Sequence, residues 1–185
     1  MNMADESDYD CTVLEQERAL IGAALCSGQD IKALMAALPV SPNHFAIPFH
    51  CACWTAAKLL NLRGMPVSPE ALIAELRRVG IGEHAQLEHL ISLAASAKFV
   101  CSLGDGASLV RYAQRNARVV LEVALRRELL AVTERAHREA KSRGGSPTGL
   151  ADSIGEIVLD GIARIQPLRL ALAEIANSMK ERTDP

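Results

Sequence analysis

NHFAIPFHCACWTAA, residues Asn43–Ala57, is the stretch on which the reading of this chain turns. From Pro48 onward, His50, Trp54, Ala57 and Leu60 follow one another at steps of four and three residues. That spacing stacks side chains on one face of an α-helix and scatters them over both faces of a strand. Proline suits the first helical turn, where its missing N–H would have no partner anyway, so Pro48 predicts the start of a helix and Arg63-Gly64 its end. Ser41-Pro42 offers a cap and a proline just upstream, with Phe45 in the intervening turn.

Working outward, the same periodicity recurs and strand-like alternation does not. A first helix is predicted over Val13–Cys26, stopped by Ser27-Gly28, and a short second one carries Ile31, Leu34, Met35 and Leu38 before Pro39. Ser68-Pro69-Glu70 combines a hydroxyl cap, a proline and a first-turn acid, which predicts a helix ending at Val79-Gly80. Another is expected over His84–Ala95. After the break at Ser102–Gly106, a long helix over Ser108–Lys141 carries the stripe Ala113, Ala117, Leu121, Leu125, Leu129, Val132 and Ala136, which requires a partner. The turn-rich Ser142–Gly149 and the apolar Leu150–Ile165 predict a second arm folding back on it. Pro167 is expected to interrupt that arm, leaving Leu168, Leu172, Ile175 and Met179 on a separate terminal helix. The fold class is therefore all-α. Its expected parts are an acidic segment over residues 1–12, a helical head over 13–101, a helical hairpin over 107–165 and a linker-like helix over 166–185.

Composition narrows the function. The 185 residues are 49% apolar and 23% charged, as in a globular chain able to bury a core. No run approaches a membrane span and the acidic start MNMADESDYD lacks a basic leader, so a cytoplasmic location is expected and no membrane partner. Five cysteines without framework spacing suit a reducing compartment. Cys51 and Cys53 are two apart on a helix, which turns them away from one another, so no metal site is expected there. No G-x-x-x-x-G-K-[ST] phosphate loop occurs, hence no nucleotide cofactor is expected. Asp152, Glu156 and Asp160 share helical spacing, but no nucleophile, base or metal set accompanies them. They read as the wet face of the second arm, and no catalytic residue is expected. Residues 107–143 hold nine basic against four acidic side chains. Because Arg118/Glu122, Glu122/Arg126 and Glu134/Arg138 are each four apart, this segment reads first as a solvated, ion-paired helix face and only weakly as a DNA surface.

Three blocks of the sequence resemble one known family. The first is Leu14–Glu17 through Leu20-Ile21-Gly22-Ala23-Ala24-Leu25, with Gly22 allowing close helix contact. The second is Leu38-Pro39 through Phe45, Pro48, His50 and Trp54. The third is Gly64-Met65-Pro66-Val67-Ser68 with Leu72 and Glu75–Gly80, where Ser68 stands in place of the usual aspartate and keeps the capping role. Together they are similar to the N-terminal domain of DnaB-type replicative DNA helicases. The resemblance implies a non-catalytic collar without the ATP-driven motor. It would self-associate through its hairpin as a dimer, up to a trimer of dimers, and dock primase or a helicase loader during replication. On that basis Leu121, Leu125, Arg126, Arg127, Leu129 and Val132 are the expected interface residues. The alternative is a free-standing plasmid or phage factor that binds and modulates a replicative helicase. His50, at the start of a buried helix, reads as a hydrogen-bonded core residue.

Overall fold

A computed structural model describes residues 11–28, 30–81, 87–102, 107–142 and 147–180. Among the described residues seven α-helices follow in order: α1 (Cys11–Ser27), α2 (Ile31–Ala36), α3 (Pro48–Leu62), α4 (Pro69–Arg78), α5 (Leu87–Ser102), α6 (Ala107–Ser142) and α7 (Pro147–Lys180). A 3-10 turn, Pro42–His44, precedes α3. No strand occurs among the described residues; one isolated bridge joins Gly28 to Val67.

The helix starts follow local chemistry. At α4, Ser68 Oγ accepts the N–H of Ala71 at 3.2 Å, and Pro69 occupies the first helical position. The Ser68 hydroxyl also bonds the Glu70 carboxylate, which holds that acid below its ordinary value. Ser41 closes a capping box on the 3-10 turn, its own N–H donating to His44 Nδ1 at 3.0 Å.

Helix α1 lies at the centre, packed on α3 and α5 on the head side and on α6. Leu20, Ile21, Ala23 and Ala24 are all buried on it. Gly22 is required by the α1–α5 contact: a Cβ there would lie 2.5 Å from the Leu93 carbonyl oxygen. Trp54 is fully buried, its ring 5.5 Å from that of Phe45 and its indole N–H on the Val40 carbonyl at 3.1 Å. Such a large side chain with its one polar atom satisfied anchors the head.

Helices α6 and α7 form the hairpin. The stripe along α6 divides in two: Ala113, Ala117 and Leu121 are buried in the core, whereas Leu129 is 48% exposed. The expected interruption at Pro167 does not occur, and α7 runs unbroken from Pro147 to Lys180. Proline forfeits one backbone bond and crowds the preceding turn. The cost is met because Leu168, Ala171 and Ile175 are buried beyond it, which holds both sides of the proline in one helix. The linker-like segment is thus, over its described part, the return of α7 onto the core. Helix α5 likewise extends to Ser102, past the expected Ala95. Of the break predicted at Ser102–Gly106, Ser102 ends α5 and residues 103–106 lie outside the described residues; of the turn predicted at Ser142–Gly149, residues 143–146 do, and α7 already begins at Pro147.

Candidate interaction surface

Three polar contacts between the arms set the antiparallel register of the hairpin. Gln114 Nε2 donates to Ser178 Oγ at 3.0 Å near its base, and Glu128 faces Arg164 at 3.6 Å. Further out, Arg135 meets Asp160 at 2.9 Å, and Asp160 also pairs with Arg164 at 3.1 Å. Gly161 lies against Val132 so closely that an added Cβ would stand 2.4 Å from Val132 Cγ2. The absent side chain at Gly161 is what lets the two arms touch there. Of the three carboxylates aligned on α7, Asp160 is therefore a cross-hairpin ion-pair partner, while Asp152 and Glu156 face solvent.

The six candidate interface residues separate by orientation. Leu121 is fully buried inside this chain, and Leu125 and Val132 are half-buried. Arg127 turns toward the head, donating through Nη2 to the carbonyls of Asn43 and His44 at 2.9 and 3.2 Å. Arg126 and Leu129 face solvent. Along α7, Val158 and Ile162 are also exposed, by 41% and 54%. At 3.6 residues per turn, and with the register above, Leu129, Val158 and Ile162 share one side of the outer hairpin. Ala151 and Gly155 are exposed and extend that side toward the tip, and a Cβ added at Gly155 would meet open space. The result is an apolar strip without a covering element among the described residues.

Where the hairpin meets the head, a cavity of about 180 Å³ is lined by His44, Arg127, Glu128 and Arg164, among others. Burial, and then the nearby charges of Lys58 and Arg127, lower the His44 pKa to about 4. A neutral ring is what the cap needs, because Nδ1 must accept the Ser41 N–H.

A second buried polar group escaped sequence reasoning. Glu17, on α1, is fully buried and accepts the backbone N–H groups of Ala46 and Ile47 as well as His50 Nδ1, the last at 2.8 Å. His50 is accordingly a hydrogen-bonded core residue, and Glu17 ties α1 to the start of α3. The available signal was an acid on the apolar face of α1, one turn from Val13 and three residues before Leu20. Among the described residues, no group of three or more His, Cys, Asp or Glu is placed to hold a metal ion. Cys53 is buried, which pushes its thiol up to about 12. No described helix is long and apolar enough to cross a membrane.

A helical head carrying a long antiparallel hairpin, with an apolar strip on its outer half that no described element covers, defines an all-α head-and-hairpin domain. The family model for the DnaB-like helicase N-terminal domain matches residues 11–112, and the chain belongs to that family. Its fold is similar to the crystal structure of the N-terminal domain of DnaB helicase from Mycobacterium tuberculosis. That match has a TM-score of 0.61 and 23% identity, covering 85% of this chain and 96% of that one. No curated protein matches the sequence.

Proposed function

We propose that the chain acts as a non-catalytic collar domain of a replicative DNA helicase, working in the cytoplasm, where it self-associates through the outer hairpin and docks primase or a helicase loader. The observation that carries this reading is the apolar strip of Leu129, Val158 and Ile162, each 41–54% exposed on one side of the hairpin. Isolated exposed apolar residues are ordinary, but a contiguous strip on a paired-helix surface is the pattern of an interface. Among the residues named from the sequence, Leu129 and Val132 belong to that strip and its inner edge, and Arg126 borders it as a rim contact. Leu121 and Arg127 support it from within by holding α6 to the core and to the head.

The test is the mass of the full chain in solution by light scattering, alone and mixed with primase or with a full-length replicative helicase. Dimers or hexamers that bind primase support the collar. A monomer that binds only the helicase and blocks its assembly would replace the collar with a regulator of that helicase.

A further inference from the structure

Of the three ion pairs expected along α6, one forms, Arg118 Nε to Glu122 Oε1 at 2.9 Å. Arg111, Arg115 and Arg126 are exposed and have no ion-pair partner among the described residues. Positions 111, 115, 118, 122 and 126 fall at steps of three and four, so they occupy one side of α6. The buried positions Ala113, Ala117, Val120 and Ala124 occupy the other, where α6 meets α1. The hairpin register brings Arg169 of α7, also exposed, alongside Glu122 and Arg126 on the same outward side. Five arginines thus line the inner half of the hairpin against one acid, Glu122, which Arg118 already neutralises.

We propose that this arginine ridge binds the phosphate backbone of nucleic acid without reading its sequence. The inference concerns the half of the hairpin nearer the head and does not depend on pairing through the apolar strip. Guanidinium groups are planar forks that grip phosphate oxygens in pairs, and all five cations here are arginine. From Arg111 to Arg126 the ridge runs roughly 22 Å at 1.5 Å per residue, the length of about six phosphates along one duplex strand. A rigid row of charge on this scale fits a linear polyanion. A lipid surface fits less well, because the row from Arg111 to Arg126 itself consists of five charged side chains with no apolar one among them to insert into the acyl region. No aromatic side chain stands in the row to stack bases, so duplex and single strand are bound through the same backbone contacts.

The test is fluorescence anisotropy of the full chain with a 20-base-pair duplex and a 20-nucleotide single strand, each at salt from 50 to 200 mM. Four to five phosphate contacts give log–log salt slopes of about −4 for duplex and about −3 for single strand, so duplex affinity falls roughly 250-fold over that range. Replacing two ridge residues at the head end, Arg111→Ser with Arg115→Ser, lowers the duplex slope by about 2. The control pair Arg77→Ser with Arg138→Ser removes the same charge from exposed positions off the ridge and leaves the slope unchanged. All four side chains are exposed, and a thermal melt confirms that each variant folds. Absence of binding at 50 mM salt overturns the proposal. So does an equal loss in the two double variants, or ridge-dependent binding to vesicles containing 30% anionic lipid with none to DNA.

Discussion

Replacing Glu17 by Ala removes one carboxylate on which three donors converge: the backbone N–H groups of Ala46 and Ile47, and His50 Nδ1. Glu17 and His50 are both buried, so water does not reach the vacated positions as it would at the surface. Stranding a buried donor costs about 1–3 kcal/mol, and breaking a buried pair by deleting one partner costs about 3–5. The backbone donors sit at the entry to α3 and are only partly buried, so they add little to the broken pair, and the expected loss is about 4 kcal/mol, the middle of that range. For a chain of this size each kcal/mol moves Tm by about 2–4 °C, which predicts a fall of roughly 8–16 °C. Urea denaturation at neutral pH, with His50→Ala and the double variant completing a cycle, separates the shared energy from the single losses. His50→Ala leaves the carboxylate bound to two backbone donors and is the milder change, near 2 kcal/mol. The double variant is expected to cost less than the sum of the two by about 1–2 kcal/mol. A Glu17→Ala loss under 1 kcal/mol, or strict additivity, would refute the assignment of Glu17 as the tie between α1 and α3.

Two further outcomes follow from the geometry. Gly161→Val drives a branched side chain into Val132, with the first added carbon already 2.4 Å from Cγ2; it should destabilise the hairpin by about 1–3 kcal/mol and raise amide exchange across the outer arms before the head, a result that uniform exchange would contradict. His44 sits neutral in the fold with its pKa lowered to about 4 from 6.5. Because the folded value lies below the unfolded one, its contribution is complete above about 6.5 and is lost as pH falls toward 4. Screening by solvent reduces that contribution to about 1 kcal/mol. Urea midpoints at pH 7 and pH 4.5 should therefore drop further in the wild type than in His44→Gln, and equal drops would remove His44 as the cause.

The class and order of helices were legible because their signals are local. Ser68-Pro69-Glu70 writes its own helix start in three residues, and the steps from His50 to Leu60 distinguish helix from strand without help from the rest of the chain. The course of α7 through Pro167 was not legible, since propensity disfavours it and only the burial of Leu168, Ala171 and Ile175 reverses the balance. The same holds for the surface. Sequence periodicity put Leu121 and Leu129 on one stripe, and nothing local reveals that α1 and α7 cover the first and leave the second in water. Arg127 reads as an exposed charge until the 3-10 turn, more than 80 positions earlier, presents two carbonyls to it. Glu17 is the same kind of case, an acid whose three partners lie about thirty residues downstream.

Pairing of copies of this chain through the outer hairpin is tested by light scattering of the wild type beside Leu129→Asp with Ile162→Asp. Both side chains are about half exposed, so the double variant keeps its fold in a thermal melt. Burying the introduced carboxylates costs about 4 kcal/mol or more, a weakening of roughly a thousandfold. The wild type is expected at the mass of a dimer or more, and the variant at that of a monomer at the same concentration. An equal mass for the two would contradict that pairing.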